Sequence, residues 1–209
     1  MKRTMNTRST FFALFFAATA FTFLTNCSGN KDEGGHAAHE SAENNAATED
    51  TLAPSKPQFS VDEKFRHQLQ EVFSAYVDLK NALVSSAPGK VKDEANDIRE
   101  TLTKVDMKLV EGAAHNDWMT YLAPMESALK NIQSSEDLEA QRKAFSTLSE
   151  NLYKSIKAFG LDGKEAYYEF CPMAFDNEGA YWLSEENKIK NPYFGEKMLT
   201  CGEVKERLQ

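Results

Sequence analysis

The hydrophobic residues from position 65 to position 159 recur at the three- and four-residue spacing of amphipathic helices. Four stripes of this kind follow one another, at residues 65–84, 91–109, 118–132 and 138–159. Only short links separate the stripes, so consecutive helices are expected to be neighbours. The pattern therefore predicts an antiparallel, up-and-down four-helix bundle.

Caps and helix breakers mark where these helices begin and end. Ser60 and Glu63 form the S-x-x-E capping box that opens the first helix. Residues 134–137, Ser-Ser-Glu-Asp, cap the fourth helix, which Gly160 ends. Pro124 lies inside the third stripe and is expected to kink that helix, because proline removes one backbone donor.

The helical spacing is lost after Gly163. Residues 166–171, Ala-Tyr-Tyr-Glu-Phe-Cys, are aromatic and extended in character, which favours a short strand. Pro172 disfavours helical geometry at the residue before it. The following residues, to about position 201, are dense in aromatic and turn-forming side chains. The predicted fold class is accordingly mainly α, a four-helix bundle with an irregular, aromatic-rich C-terminal cap that includes one short strand.

The N-terminal residues have the pattern of an export signal. Basic residues at positions 2, 3 and 8 precede an uncharged apolar stretch at 11–24. That stretch is shorter than the roughly 20 apolar residues of a membrane-spanning helix. Leu-Thr-Asn-Cys at 24–27 then resembles the lipobox of bacterial lipoproteins. We therefore predict a signal peptide at 1–26 and lipidation of Cys27.

Residues 27–58 are predicted to form a lipid-anchored flexible tether, because small and polar residues dominate them. His36 and His39 lie in this tether and are candidate metal ligands, although histidine pairs also occur by chance in such segments. The cluster at 31–33, Lys-Asp-Glu, resembles an export tag of some outer-membrane lipoproteins. The predicted location is the bacterial outer membrane, with the protein facing the periplasm or the cell surface. Residues 59–209 are predicted to be one folded domain.

The charge balance excludes one class of partner. The chain carries 24 basic and 32 acidic residues, a net charge of −8. Removal of the leader, which holds three of the basic residues and no acidic one, makes the mature chain more acidic still. A basic surface for nucleic acid is therefore not expected.

Two short segments near the C-terminus bring together the soft ligands of the domain. Cys171 and Cys201 are the only cysteines outside the leader and lipobox, and Met173 and Met198 lie two and three residues from them. Thiolates and thioethers select Cu(I) and similar ions, and residues three apart share one face of a helical turn. Cysteines of an exported protein also commonly form a disulfide. A metal site, a Cys171–Cys201 disulfide and two unrelated buried cysteines all remain open.

Other chemistry-bearing residues have ordinary alternatives. His67 and His115 are candidate additional metal ligands from the bundle, or surface residues. Trp182 lies over a bound ion or is part of the core, and each methionine taken alone is a core residue. The sequence contains no C-x-x-C, P-loop, H-E-x-x-H or G-x-S-x-G motif, so we do not expect an enzyme.

The C-terminal sequence resembles a known family. Residues 171–184 follow C-P-M-A-F-x-x-x-G-A-Y-W-L-S, and residues 189–202 follow I-x-N-P-Y-F-G-x-x-M-L-x-C-G. These motifs resemble a domain of unknown function found in Bacteroidota lipoproteins and appended to periplasmic adaptor (membrane-fusion) subunits of heavy-metal efflux pumps. The resemblance extends over roughly residues 60–205. It implies a role in copper, silver or related metal resistance and a metal site at Cys171, Met173, Met198 and Cys201.

Three hypotheses for the function follow. In the first, an exported lipoprotein binds Cu(I) or Ag(I) and buffers it or hands it to an efflux adaptor. In the second, a disulfide-linked module docks on a partner through exposed aromatic side chains. Those side chains are Tyr181, Trp182, Tyr193 and Phe194. In the third, Cys171 and Cys201 form a thiol redox sensor. A sulfur–sulfur distance of about 2 Å indicates a disulfide, and roughly 3.5–4.5 Å with converging methionines indicates a metal site.

Overall fold

Four long helices make up most of the described chain. The computed structural model of the protein describes residues 53–209. The helices are α1 Glu63–Val84, α2 Pro88–Thr103, α3 Gly112–Ser134 and α4 Leu138–Phe159, and a 3-10 turn at Met107–Leu109 joins α2 to α3. Each predicted stripe contains a helix, so the mainly helical class is confirmed, although α2 ends at Thr103 and the stripe at 91–109 continues past it. The predicted leader, the lipidation site Cys27 and the pair His36 and His39 lie outside the described residues.

The helix ends correct one detail of the prediction, the cap of α1. Asp62, not Ser60, caps α1, because its carboxylate accepts a hydrogen bond from the Lys64 N–H at 2.8 Å and the helix begins at Glu63. Asp137, the last residue of the predicted Ser-Ser-Glu-Asp cap, caps α4. α3 continues through Pro124 to Ser134.

The helices pack around one apolar core. α1 contacts α2, α2 contacts α3, α3 contacts α4, and α1 also contacts α4. Phe65, Trp118 and Phe159 meet edge to face in this core, with ring centroids 5.2 to 6.2 Å apart. These three rings come from α1, α3 and α4 and are buried. Burial of the apolar stripes therefore holds the helices together.

The C-terminal cap contains a regular sheet. Three antiparallel strands, β1 Ala166–Cys171, β2 Ala180–Ser184 and β3 Glu203–Leu208, lie in the order β2-β1-β3. The predicted strand at 166–171 is confirmed, β2 and β3 were not predicted, and residues 185–202 contain no strand, as the predicted irregular cap requires. The sequence pattern did not predict β3, because this strand is mostly charged, with Glu203, Lys205, Glu206 and Arg207. Such charge is typical of an edge strand.

The segment before α1 is attached to the domain at two places. Ser55 forms a parallel bridge with Leu208, where its N–H donates to the Arg207 carbonyl at 3.1 Å. Further on, the Phe59 N–H donates to the Ala158 carbonyl at 2.8 Å, near the end of α4. Within residues 53–209, no helix has the length and apolar character needed to cross a bilayer.

Candidate dithiol site

The two cysteines of the domain meet at one end of the sheet. Cys171, the last residue of β1, is fully buried, and Cys201 is partly exposed. Both are free thiols, and their sulfur atoms are 3.3 Å apart. This distance is longer than the S–S bond of about 2.05 Å and just below the spacing expected for two ligands of one ion. A small movement of one side chain would bring the sulfurs to either spacing, but a disulfide also requires an oxidant that takes up two electrons, and a metal site requires an ion and the loss of the thiol protons.

The contact between the thiols affects their acidity. The hydrogen bond to Cys171 is the main cause that raises the pKa of the Cys201 thiol, and burial adds to it. Cys201 therefore keeps its proton at neutral pH. Any metal ion bound there has to displace it.

The two methionines differ in their surroundings. Met173 is 47% exposed, so it is not a core residue. Met198 is half-buried and ends the 3-10 turn Gly195–Met198. The Cys201 N–H donates to the Met198 carbonyl at 3.1 Å. Met198 and Cys201 thus share one turn of the chain, as their spacing suggested.

The histidines of the domain do not join the cysteines in a ligand cluster. His67 is exposed on α1, and His115 is half-buried near the start of α3. In the described part of the chain, no three His, Cys, Asp or Glu side chains lie close enough together to hold a metal ion. An ion bound at the pair by residues 53–209 would therefore have two thiolates, with thioethers as the further donors.

A tight left-handed turn places Cys171. After β1 the backbone takes positive φ angles at three consecutive residues, 175–177, and again at Gly179. The chain then reverses into β2, whose first residue, Ala180, pairs with Cys171. A Cβ atom at Gly179 would lie 2.4 Å from the Phe170 ring, so only glycine fits there. Cys171 is therefore held at the turn end of this hairpin.

A closed loop, residues 191–201, places Cys201. Its first residue, Asn191, is fully buried, and its backbone N–H donates to the Leu199 carbonyl at 2.8 Å. The Asn191 side-chain N–H donates to the Cys201 carbonyl at 2.7 Å. The side-chain oxygen accepts the N–H groups of Tyr193 and Phe194 at 2.8 and 3.3 Å. One residue therefore organises its own turn and also holds the far end of the loop.

Residues from the bundle anchor the same loop. Arg142 of α4 is buried and donates from Nε to the Pro192 carbonyl at 3.0 Å and from Nη2 to the Ser86 hydroxyl at 3.2 Å. The Tyr193 hydroxyl donates to the Tyr181 carbonyl in β2. The N-P-Y-F-G motif is thus a structural link between the helices, the sheet and Cys201.

A buried polar cluster lies beside the dithiol. Glu169 precedes Cys171 by two residues on β1 and pairs with Trp182 of β2. It is fully buried, and among the described residues neither of its carboxyl oxygens has a hydrogen-bond partner. Lys80 of α1 is 3% exposed and donates to the Ser184 hydroxyl at 3.4 Å. Both ionisable residues are therefore withdrawn from water, and Glu169 lies two residues from Cys171 on the same strand.

Burial dominates the acidity of this cluster. It raises the pKa of Glu169 to about 8, an effect that the positive charge of Lys80 partly offsets. Burial likewise lowers the pKa of Lys80, and Glu169 opposes that shift. The analysis of the sequence missed this pair. One signal was present, because Lys80 lies between Tyr76 and Leu83 at the spacing of the apolar stripe of α1.

A chain of hydrogen bonds joins the sheet to two helices. The Leu183 N–H in β2 donates to the Tyr76 hydroxyl at 3.0 Å. The Ser149 hydroxyl of α4 donates to the Phe145 carbonyl at 2.8 Å. The 2.7 Å contact between the Tyr76 and Ser149 hydroxyls is therefore donated by Tyr76.

The aromatic residues expected to dock on a partner are mostly enclosed. Trp182 is fully buried and meets Tyr193 edge to face at 5.9 Å, and Tyr193 is also buried. Phe194 is half-buried, and Tyr181 alone of these four is exposed. Trp182 is therefore a core residue, and the predicted docking face is wrong for Trp182 and Tyr193.

Comparisons with known proteins reach only the helical part. Residues 72–164 match the model of a family described as "Protein of unknown function (DUF3347)". No curated protein and no solved structure matches the chain. The family match begins within α1 and ends before β1, so it contains neither cysteine of the dithiol. The helical part of the chain is thus similar to an uncharacterised domain family, while the C-terminal motifs at 171–184 and 189–202 lie outside the match.

Proposed function

We propose that the protein binds one soft monovalent metal ion, Cu(I) or Ag(I), between the thiolates of Cys171 and Cys201. The observation that carries the proposal is the 3.3 Å contact between two free thiols that are 30 residues apart in the chain. Soft thiolate ligands favour Cu(I). Met198, on the same turn as Cys201, is the nearest thioether along the chain, and exposed Met173 is the proposed point of entry.

Binding of the ion is coupled to the loss of protons. Each thiol has to lose its proton before it can coordinate the ion. Two thiolates and one monovalent ion leave the site with one negative charge. Because the pKa of Cys201 is raised, affinity is expected to increase with pH around neutrality.

The proposed role is buffering of the ion or its delivery to a periplasmic heavy-metal efflux adaptor. The lipobox and tether support a lipoprotein anchored through Cys27 in the outer membrane. The family resemblance of residues 171–202 supports the link to metal efflux. We propose a binding role without catalysis, and no nucleic-acid partner, from the acidic composition and the motifs of the sequence.

The test is a titration with Cu(I), without oxygen and against a competing chelator. The protein lacks its leader and carries Cys27→Ser, so that only the two candidate thiols remain. We expect one equivalent to bind tightly and to be lost in Cys171→Ser and in Cys201→Ser. Met198→Leu should weaken binding, while Met119→Leu, at an exposed methionine of α3, should not. Absence of Cu(I) and Ag(I) binding by the reduced protein would refute the proposal.

The same contact between thiols supports a second candidate, a thiol redox pair. A disulfide between Cys171 and Cys201 would close a loop of about 30 residues and stabilise the fold by roughly 3–4 kcal/mol in the chain-entropy model. A mid-range reduction potential would support a sensor. A potential below about −300 mV would indicate a purely structural disulfide.

We also propose the antiparallel, up-and-down arrangement for the four helices. Each helix contacts the next along the chain, and α1 also contacts α4. The link between α1 and α2 is residues 85–87, and that between α3 and α4 is residues 135–137. Links this short favour antiparallel neighbours.

A further inference from the structure

The segment that leads to Cys201 is largely exposed, and Asn191 joins it to the buried part of the molecule. Lys197, Leu199 and Thr200, which precede Cys201, are exposed. On the other side, β3 begins only at Glu203. The Cys201 N–H donates to the Met198 carbonyl within the same segment, and the 2.7 Å hydrogen bond from the Asn191 side chain to the Cys201 carbonyl links that segment to residue 191.

Asn191 itself belongs to a fixed part of the molecule. Its own carbonyl accepts the Gly195 N–H at 3.0 Å, and its side-chain oxygen accepts two further backbone N–H groups. The next residue, Pro192, is bound by buried Arg142, and Tyr193 is bound to β2. Asn191 therefore joins an anchored turn to the less enclosed segment that carries Cys201.

We propose that Asn191 is the positioning residue of the dithiol, which holds Cys201 against Cys171 and so sets the effective concentration of one thiol at the other. Two thiols joined only by a flexible chain meet at effective concentrations of about millimolar. A buried amide that fixes one of them in place raises this value. The affinity for a soft ion also depends on the placement of Cys201 against Cys171. This statement about affinity rests on the proposed function, whereas the statement about effective concentration does not.

The decisive variant is Asn191→Ser. A serine hydroxyl is able to accept the Tyr193 N–H and keep the turn, but it is too short to reach the Cys201 carbonyl. Asn187→Ser is the matched control, because Asn187 is exposed and lies four residues earlier in the same segment. A second variant, Asn191→Asp, keeps both accepted hydrogen bonds and loses the side-chain donor.

The first measurement needs no metal. Each variant, in the Cys27→Ser protein, is equilibrated without oxygen in glutathione buffers of graded redox ratio, and its free thiols are counted. We expect the effective concentration to fall at least about tenfold in Asn191→Ser and to stay within about twofold in Asn187→Ser. Thermal unfolding and near-ultraviolet circular dichroism, which reports on Trp118 and Trp182, verify the fold. If Asn191→Ser is unfolded, the effective concentration measured in Asn191→Asp tests the inference in its place.

The second measurement is Cu(I) affinity. Loss of a group that orients a ligand typically weakens metal binding tenfold to a hundredfold, and we expect a change of about that size in Asn191→Ser. Wild-type values of both affinity and effective concentration in a folded Asn191 variant would overturn the inference and leave the metal site standing. No metal binding by the wild type, together with a lowered effective concentration in Asn191→Ser, would overturn the proposed function alone.

Discussion

The helices and the C-terminal sheet use buried polar groups in different ways. In α4 the side chains of Ser149, Asn151 and Ser155 bond to carbonyls four residues earlier in the same helix. Around the sheet, Arg142 bonds to Pro192 and Tyr76 bonds to Leu183, across elements that are distant in sequence. The helices are therefore specified by local pattern and apolar burial. The dithiol end is specified by individual long-range hydrogen bonds, which makes it more sensitive to single substitutions.

Trp118→Ala should give the largest loss of stability. Trp118 is fully buried between Phe65 and Phe159, and truncation of a buried aromatic side chain costs about 3–5 kcal/mol. Unfolding by urea measures the loss. The effective concentration of the two thiols should be unchanged while the protein is folded, the reverse of the result for Asn191→Ser. A change in the thiol pair as large as that in Asn191→Ser would remove the distinction between the two regions.

Glu169→Gln should change how stability depends on pH. The pKa of Glu169 is about 8 in the fold against an ordinary value of 4.5, so the folded state holds a proton that the unfolded state has lost. Stability therefore falls as the pH rises from about 5 to about 8, by about 1.4 kcal/mol per pH unit at the steepest.

The amide of Gln cannot ionise, so this fall should disappear in Glu169→Gln. Urea unfolding of both proteins at pH 5, 6, 7 and 8 measures the difference. Lys80, whose pKa is lowered, acts in the opposite direction at higher pH, below its ordinary value of 10.5. Parallel pH profiles for the two proteins would show that Glu169 is not the source of the slope.

Tyr76→Phe should have an intermediate effect. It deprives the Leu183 N–H of its acceptor and leaves Ser149 without its donor, in a buried position. An unsatisfied buried donor costs about 1–3 kcal/mol. Because the link joins β2 to α1 and α4, hydrogen exchange at Leu183 should accelerate more than exchange in the middle of α2. Equal acceleration in both places would mean that the loss of stability is global.

Asp62→Ala should have the smallest effect and locates the start of α1. Loss of a capping carboxylate costs typically about 1 kcal/mol. Ser60→Ala is the matched variant, and it should leave the unfolding midpoint almost unchanged. A larger effect at Ser60 than at Asp62 would restore the capping box that the sequence suggested.

How far the sequence predicts the structure follows the same division. The four helices and β1 could be predicted from the sequence, because periodicity and aromatic content are local properties of the chain. β2 and β3 were not, since β3 is charged along most of its length and pairs with a strand more than 30 residues earlier. The proximity of Cys171 and Cys201 was one of several open alternatives. The contributions of Asn191 and Glu169 depend on partners that only the fold brings near.

The attachment of the chain at Ser55 has a mechanical consequence. Ser55 is joined to Leu208, which pairs with Ala166 at the start of β1, while Cys171 ends that strand. At about 3.3 Å per residue the two ends of β1 are roughly 17 Å apart. Tension on the chain before Ser55 therefore enters the domain at β3 and the end of α4. Because β3 begins only two residues after Cys201, a pull on the N-terminal segment acts on the strand that leads to one of the two thiols.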